Sequence, residues 1–353
     1  MQYRFTKIYE HNIVFWSIQE LAEYISNQNN AVIFIDKQVF QSYLYQILEN
    51  TNISYFLMDI NEHQKNLSTV EYIWQIFISN NITKHHNIII IGGGVLNDVV
   101  LFACSVFKRG LNCISVPTTL LSMVDASIGG KNAVNFNHIK NALGTIHIPI
   151  QNIVVNDFLS TLSKEQLLSG WAEILKIALV KHAEFYNHCI YYLQKNLLPD
   201  IDIIKTSIQL KLDIIQNDIE DTNERQLLNY GHTIAHAIEG YLEEQNIYIP
   251  HGSAVILGIL IENTIAEKLN LLHTTIKNKI EKDLKKFYSY ESYPIKANAI
   301  PILLSKIQQD KKNTATDVRF TLIEDIGKGK TKVEVSLKQV ENILKEFLNS
   351  NII

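Results

Sequence analysis

The residues best equipped for chemistry lie in two stretches. In the second half of the chain Glu173 and Lys176 stand three apart within GWAEILK, on one face of an apolar helical pattern. Further on, LNYGHTIAHAIE carries His232 and His236 at i,i+4, a spacing that turns two imidazoles toward one cation. His251 follows Pro250 and opens another helical run. Imidazole nitrogens and a carboxylate suit the borderline-soft Zn²⁺ ion, and a catalytic site keeps one coordination position open. Residue type and spacing leave open which three of Glu173, His232, His236 and His251 bind. HExxH protease chemistry is excluded, because Thr233 stands where the glutamate would be. Other histidines, such as His85 and His86, read as surface residues.

The first half carries a different chemistry. Residues 88–91 are a β-branched apolar run that breaks at Gly92, Gly93 and Gly94 and continues from Val95 as an apolar helix. A strand, a glycine turn and a helix make an anion site, since glycines admit a phosphate to the backbone and the first helical N–H groups are unpaired. The turn is not a GxGxxG fingerprint, so its weight comes from company. Asp98, Arg109, Gly110, the Pro117-Thr118-Thr119 turn, Asp125 and Gly129-Gly130-Lys131 all follow within a segment that folding alone would keep apolar.

These groups need elements to position them. Short β-rich runs at 13–16, 31–35, 53–58, 88–91, 113–116 and 153–155 alternate, as far as residue 107, with helical patterns at 18–25, 39–48, 67–78 and 95–107. That alternation predicts a mostly parallel sheet with crossover helices, whose ligands bind at the carboxyl ends of the strands. Asp36 and the Glu62-His63-Gln64-Lys65 turn fall on the same rim as the glycines, although Asp36 reads equally well as a helix cap. From 164 to about 304 the pattern is helix after helix, and 156–161 is the seam. The prediction is an α/β domain over 1–157 and a mainly helical domain over 158–353. A hairpin of 318–323 and 331–335 turns through Gly327-Lys328-Gly329, and a helix over 337–348 closes the chain.

Bulk properties narrow the class. A chain of 353 residues predicts about two domains. The net charge of −4 and pI near 6.3, with the charges interspersed, argue against nucleic acid or an anionic membrane as partner. No signal-peptide pattern opens the chain, and no run approaches the ~18 apolar residues of a membrane span. Cys104, Cys113 and Cys189 are scattered without a CxxC, which predicts no disulfide and a reducing cytoplasm, with Cys104 and Cys113 as small core residues.

Taken together, the motifs resemble those of the 3-dehydroquinate synthase family of sugar-phosphate cyclases. GGGVLND is similar to the family's GGGVVGD, and PTTLLSMVDASIGGK to its PTTLLAQVDSSVGGK. SGWAEILK, RQLLNYGHTIAHAIE, HGSAV and DKKN match in order and in near-family spacing over about 62 to 313. The resemblance implies an N-terminal Rossmann-like NAD domain, an all-α C-terminal domain, an active site in the cleft between them, and a homodimer. It implies conversion of 3-deoxy-D-arabino-heptulosonate 7-phosphate to 3-dehydroquinate and phosphate, in the shikimate pathway to aromatic amino acids.

The resemblance also distributes tasks. Glu173, His232 and His251 hold the metal, Zn²⁺ or Co²⁺. Asn61, Glu62, Lys65, Gly93, Gly94, Val95, Leu96, Asn97, Asp98, Thr118, Thr119, Phe158, Leu159, Ser160 and Thr161 contact NAD. Asp125, Lys131 and Lys140 serve cofactor and substrate together, and Asn141, Lys176, Lys211, Arg225, Asn229, His236 and one of Lys311 and Lys312 surround the substrate's carboxylate and phosphate. Arg109 is similar to an arginine that reaches the neighbouring subunit's phosphate site.

Several positions depart from the family pattern. Asn97 replaces glycine in GGGVxGD, and Asn61 replaces glycine before Glu62. Ala235 replaces glycine between the histidines, Ser253 replaces glutamate after Gly252, and Ser163 stands where proline is usual. Asn97 and Asn61 are expected at turn positions with positive φ, which asparagine tolerates. The loss of a carboxylate at Ser253 is expected to alter the surroundings of the metal. Three rivals compete with the synthase reading. A cyclase for another sugar phosphate is opposed by Lys131, Lys211 and Arg225, which suit a carboxylate. An iron- or zinc-dependent alcohol or glycerol dehydrogenase is opposed by LLSMVDASIGGK after the PTT turn. A non-catalytic NAD-binding relative is opposed by the intact Lys176, Arg225, His232, His236 and His251.

Overall fold

The structure, a computed structural model, describes residues 11–49, 51–137, 139–289, 293–308 and 317–349. It divides into two compact units, 1–162 and 163–353.

The first unit follows the order β1 (Ile13–Trp16), α1 (Ile18–Ser26), β2 (Ala31–Asp36), α2 (Lys37–Val39), a π-helical turn (Phe40–Leu44), α3 (Tyr45–Leu48), β3 (Ser54–Met58), α4 (Leu67–Ser79), β4 (Asn87–Gly92), α5 (Gly94–Val106), β5 (Asn112–Pro117), β6 (Lys131–Phe136), β7 (Ile139–Ile146) and β8 (Gln151–Val155). Six strands form one sheet in the order β1-β8-β5-β4-β2-β3, every pair parallel. Ile88, Ile89, Ile90 and Ile91 are fully buried. A strand covered on both faces has no polar side to show, hence a continuous apolar run rather than an alternating one. Each such isoleucine contributes about 1.5–3 kcal/mol of burial.

Register aligns the rim. Gly92 at the end of β4 pairs with Pro117 at the end of β5, and Asp36 pairs with Met58. Asp36 acts as a helix cap, its Oδ1 accepting from the N–H groups of Gln38 at 2.9 Å and Val39 at 3.2 Å. The expected helix over 39–48 is interrupted by the π turn, which keeps Phe40 and Leu44 both buried. The antiparallel hairpin β6–β7 was not expected from the glycine-rich sequence. The unit runs to Leu162 rather than to 157. Phe158 and Leu159 are buried, and the Tyr43 hydroxyl ties the turn Asn156–Thr161 down, 3.0 Å from Asp157 O and 2.9 Å from Ser160 Oγ.

The second unit comprises α6 (Lys164–Lys181), α7 (Ala183–Leu193), α8 (Ile201–Asn217), α9 (His232–Glu244), α10 (His251–Lys268), α11 (Thr274–Leu284), α12 (Ile300–Gln308), β9 (Asp317–Asp325), β10 (Lys328–Ser336) and α13 (Leu337–Asn349). Ser163 starts α6 with a reciprocal capping box to Gln166, a role proline cannot fill. Helix α10 is buried along most of its length, as expected of a helix apolar on every side. The β9–β10 hairpin is antiparallel, and Gly327 at its tip donates its N–H to Leu179 O of α6 at 2.8 Å.

Glycines set how closely the helices of this unit approach. A Cβ on Gly252 of α10 would press into Ser169 Cα of α6, and one on Gly258 into Gly231 O at the start of α9. Gly231 itself has φ +80°, a left-handed conformation that glycine adopts without strain.

Candidate metal centre and anion-binding rim

Close helix packing brings three ligand-bearing residues to one point. Glu173 comes from the middle of α6, His232 from the first residue of α9 and His251 from the first residue of α10. One ligand atom from each lies within 4.8 Å of the others. Glu173 Oε1 is 3.6 Å from His232 Nε2 and 3.5 Å from His251 Nε2. Donor atoms about 2.0–2.2 Å from a tetrahedral metal stand about 3.3–3.6 Å apart by geometry, so the set fits a divalent cation.

The imidazole tautomers agree with that fit. His232 Nδ1 is 3.2 Å from Tyr230 O and His251 Nδ1 is 2.9 Å from Glu239 Oε1. Both partners are acceptors, so each Nδ1 donates, and Nε2 is the nitrogen on each ring that faces Glu173 and would give up its proton to take a cation. Glu173 is 2% exposed, and neither carboxylate oxygen has a hydrogen-bond partner, although the buried Lys176 ammonium forms an ion pair with Oε2. A buried carboxylate that faces an ammonium on one oxygen and two imidazole nitrogens on the other is a cation's natural neighbour.

Electrostatics binds the group together. Burial works to raise the Glu173 pKa, but Lys176 and the two histidines overcome it and hold the carboxyl well below its usual range. Burial and the Lys176 charge push His232 well below the ordinary imidazole value. His251 goes the other way: burial opposes its charge, yet the Glu173 and Glu239 carboxylates raise it to about 10.

Glu239 was missed in the sequence, where it closes the HAIE segment. It places a carboxylate on His251 Nδ1, on the side of the ring away from Glu173. A second carboxyl, Glu262 of α10, is fully buried and accepts the Gly231 N–H at 2.7 Å, capping α9 where Gly231 offers no side chain. Burial pushes its pKa well above the usual range, against the backbone N–H groups of Gly231 and Ile234.

His236 is not among the three converging ligands. Its ring is perpendicular to that of His232 at a centroid distance of 5.3 Å. It lines a cavity of about 110 Å³ with Asn229, His232, Thr233, Arg319 and Lys332 among others. Arg319 and Lys332, on the β9–β10 hairpin, add cations there that sequence reading missed. Arg225 is buried, with its N–H on Asp218 Oδ2 at 3.0 Å and Nη1 on Ile219 O at 2.7 Å. Lys211 is buried in α8. Lys311 and Lys312 lie outside the described residues.

In the first unit the rim is polar and tightly cross-linked. Lys65 Nζ is 2.6 Å from Asp98 Oδ2 and donates to Asn141 Oδ1 at 2.7 Å. Asn135, which the sequence reading passed over, donates to Glu62 Oε1 at 2.9 Å and accepts from the Asn141 N–H at 2.8 Å. Burial, against Lys65, pushes the Asp98 carboxyl up to about 6, with Glu62 and Asp125 adding to the rise. The Thr118 N–H bonds Gly92 O at 3.1 Å, while the Thr119 hydroxyl pairs with Ser122 Oγ at 2.8 Å. Added Cβ atoms at Gly93 and Gly94 would sit 3.3 Å from Thr119 Cγ2 and 3.1 Å from Ala126 Cβ, so a larger residue would fit only if those side chains gave way by a few tenths of an ångström. No side chain caps α5, which leaves its first N–H groups to an anion.

Other candidates sit as follows. Lys131, Lys140 and Arg109 are exposed, and Asp125 is half-buried. The side chains of Leu96, Asn97, Phe158 and Leu159 are buried, whereas Ser160 and Thr161 are exposed. Two expectations about asparagines are corrected. Asn61 has φ −114° and caps a short 3-10 turn. Asn97 lies inside α5, not at a positive-φ turn, because its side chain is drawn inward to bond buried groups.

The chain matches the 3-dehydroquinate synthase N-terminal family model over residues 55–169 and the 3-dehydroquinate synthase C-terminal model over 170–313. It is 35% identical over 293 residues to a 3-dehydroquinate synthase of Campylobacter jejuni subsp. doylei, covering 81% of this chain and 82% of that one. It is 32% identical over 336 residues to a 3-dehydroquinate synthase of Clostridium tetani, covering 92% and 87%. Among solved structures it is similar in fold to a 2-epi-5-epi-valiolone synthase from Streptomyces hygroscopicus subsp. jinggangensis with NAD⁺ and Zn²⁺ bound. The TM-score is 0.85 at 24% identity, over 99% of this chain and 100% of that one.

Proposed function

This chain belongs to the 3-dehydroquinate synthase family, and from that premise we propose that it converts 3-deoxy-D-arabino-heptulosonate 7-phosphate to 3-dehydroquinate and phosphate, as an NAD- and divalent-metal-dependent carbon–oxygen lyase. The observation that carries the reading is the convergence of Glu173 Oε1 with the Nε2 atoms of His232 and His251 at 3.6 and 3.5 Å. These three would hold Zn²⁺ or Co²⁺, while the N–H groups at the start of α5 would take the NAD pyrophosphate.

Phosphate leaves poorly from an unactivated carbon, whereas a ketone beside the reacting centre acidifies the C–H and permits elimination. Bound NAD would supply a transient hydride acceptor, and a cation held by Glu173, His232 and His251 would supply Lewis acidity at the reacting oxygen. The chain's own residues do the rest. Arg225 and Lys211 neutralise the substrate carboxylate, the arginine with its planar fork. Lys131 joins them at the carboxylate, while Lys140 and Asn141 of the β6–β7 hairpin, with one of Lys311 and Lys312, receive the phosphate. Lys176 keeps Glu173 ionised, and His236 exchanges a proton at its ring nitrogen. Arg109 reaches the phosphate site of a second copy in a cytoplasmic homodimer. Re-reduction, ring opening and an intramolecular aldol step complete a redox-neutral sequence.

Phosphate release from the heptulosonate phosphate, with NAD⁺ and before and after chelation and zinc add-back, tests the reading. Release that requires both cofactors without net NADH supports it. Net NADH would indicate a dehydrogenase. No release from a protein holding both would refute the synthase reading.

A further inference from the structure

We infer that Asn97 is a positioning residue for the dinucleotide turn: its amide, oriented by Ser115, fixes the two glycine carbonyls behind the turn so that the N–H groups ahead of it are held ready for the pyrophosphate. The inference rests on the NAD reading and goes beyond it, because the family pattern has glycine at this position.

Asn97 is fully buried and so meets no cofactor with its side chain. Its Nδ2 donates to Gly92 O at 2.9 Å and Gly93 O at 3.0 Å, and its Oδ1 accepts from Ser115 Oγ at 2.5 Å. Every hydrogen the amide can give is used. Ser115, also fully buried, lies on β5 and donates, which settles the orientation, since a flipped amide would set its oxygen against two carbonyls. Gly92 O accepts a second bond, from the Thr118 N–H at 3.1 Å. One carbonyl therefore joins the glycine turn, the Thr118 turn and the helix.

The Gly93 carbonyl also receives the Asn97 N–H at 3.1 Å as the first helical bond. Main-chain and side-chain donors of one residue thus act on the peptide units that lead into α5. Pinning those peptides sets the plane of each, and with it the direction of the N–H on the far side. An anion site made of backbone dipoles is only as good as that preorganisation.

Restoring the family's glycine should therefore weaken cofactor binding, contrary to what similarity alone suggests. The test is NAD⁺ titration by calorimetry into the full-length wild type and the variants N97G, N97D, S115A and N97G/S115A, with Co²⁺ affinity and melting of the cofactor-free proteins measured alongside. N97G should bind NAD⁺ roughly tenfold more weakly, and N97D more weakly still, as its carboxylate cannot donate. S115A, the mildest change, should lose a few-fold, and the double variant should be no worse than N97G because the pair acts as one unit. Co²⁺ affinity should not move. Wild-type-like NAD⁺ affinity in N97G overturns the inference, as do parallel falls in Co²⁺ affinity and melting that would mark a structural role alone. Failure of the wild type itself to bind NAD⁺ overturns the underlying reading instead.

Discussion

His251 Nδ1 stands 2.9 Å from Glu239 Oε1, across the contact between α10 and α9. The carboxylate fixes the ring's tautomer and raises its basicity, so the far nitrogen is the better ligand. Glu239→Ala should weaken metal binding about 10- to 100-fold, read by Co²⁺ titration of the visible absorption band. Glu239→Gln should fall between. Unchanged affinity in the alanine variant would show that the carboxylate does not serve the metal.

A backbone contact precedes all of this. Gly258 packs so tightly on Gly231 O that Gly258→Ala must push α10 away from α9. Overpacking costs about 1–3 kcal/mol and occasionally more. The variant should melt lower and bind Co²⁺ worse, because His232 and His251 ride on the two helices being separated. Reduced stability with full metal affinity would show that the site tolerates the shift.

Asp98 gives a pH signature in the cofactor-free protein. Its pKa rises from 3.8 to about 6 because burial disfavours the charge. Between those values the folded state holds a proton that the unfolded state has lost, so stability falls as pH rises through the window, the loss being complete above about pH 6. The full effect is on the order of 3 kcal/mol. The difference in unfolding free energy between the wild type and Asp98→Asn should accordingly decline from pH 4 to pH 7. A difference independent of pH would contradict the raised pKa.

Legibility in the sequence followed periodicity. The parallel strands were readable because buried residues such as Ile88 to Ile91 have no polar alternation to blur them. The converging trio was readable only through the family motif, since His236, at i,i+4 from His232, looked by type and spacing a better companion for it than the distant His251. What decides between His236 and His251 is the approach of α10 to α6 at Gly252, a tertiary fact. Glu239 and Asn135 were invisible for the same reason. The β6–β7 hairpin was hidden by its asparagines and glycine, which disguise an alternating burial pattern. Asn97 was misjudged as a turn residue because it stands where the family has the glycine of GGGVxGD, whereas it lies inside α5 and bonds the turn from within.

His236 separates proton transfer from metal binding. It flanks His232 at 5.3 Å between ring centroids and lines the same cavity, yet does not converge on Glu173. His236→Ala should lower turnover by about 100-fold or more while Co²⁺ affinity stays as in the wild type. Loss of metal in this variant would make His236 a ligand.

Lys176 poses the opposite problem, a buried cation beside the candidate metal ligand. Its ammonium pairs with Glu173 Oε2, and both side chains are 2% exposed. Lys176→Met leaves the carboxylate buried with only the histidines opposite it, which costs on the order of a few kcal/mol in the metal-free protein, less than the full penalty of an unpaired buried charge. A divalent cation would replace the missing charge and would no longer be repelled by the ammonium. The variant should therefore melt well below the wild type without metal, bind Co²⁺ more tightly, and gain more in melting temperature from added Co²⁺. On the proposed reading turnover should be lost with or without added metal, since metal would restore the charge balance but not the hydrogen bonds the ammonium would offer to substrate. Equal stabilisation of wild type and variant by Co²⁺ would mean that Lys176 and the metal do not compete for the same carboxylate.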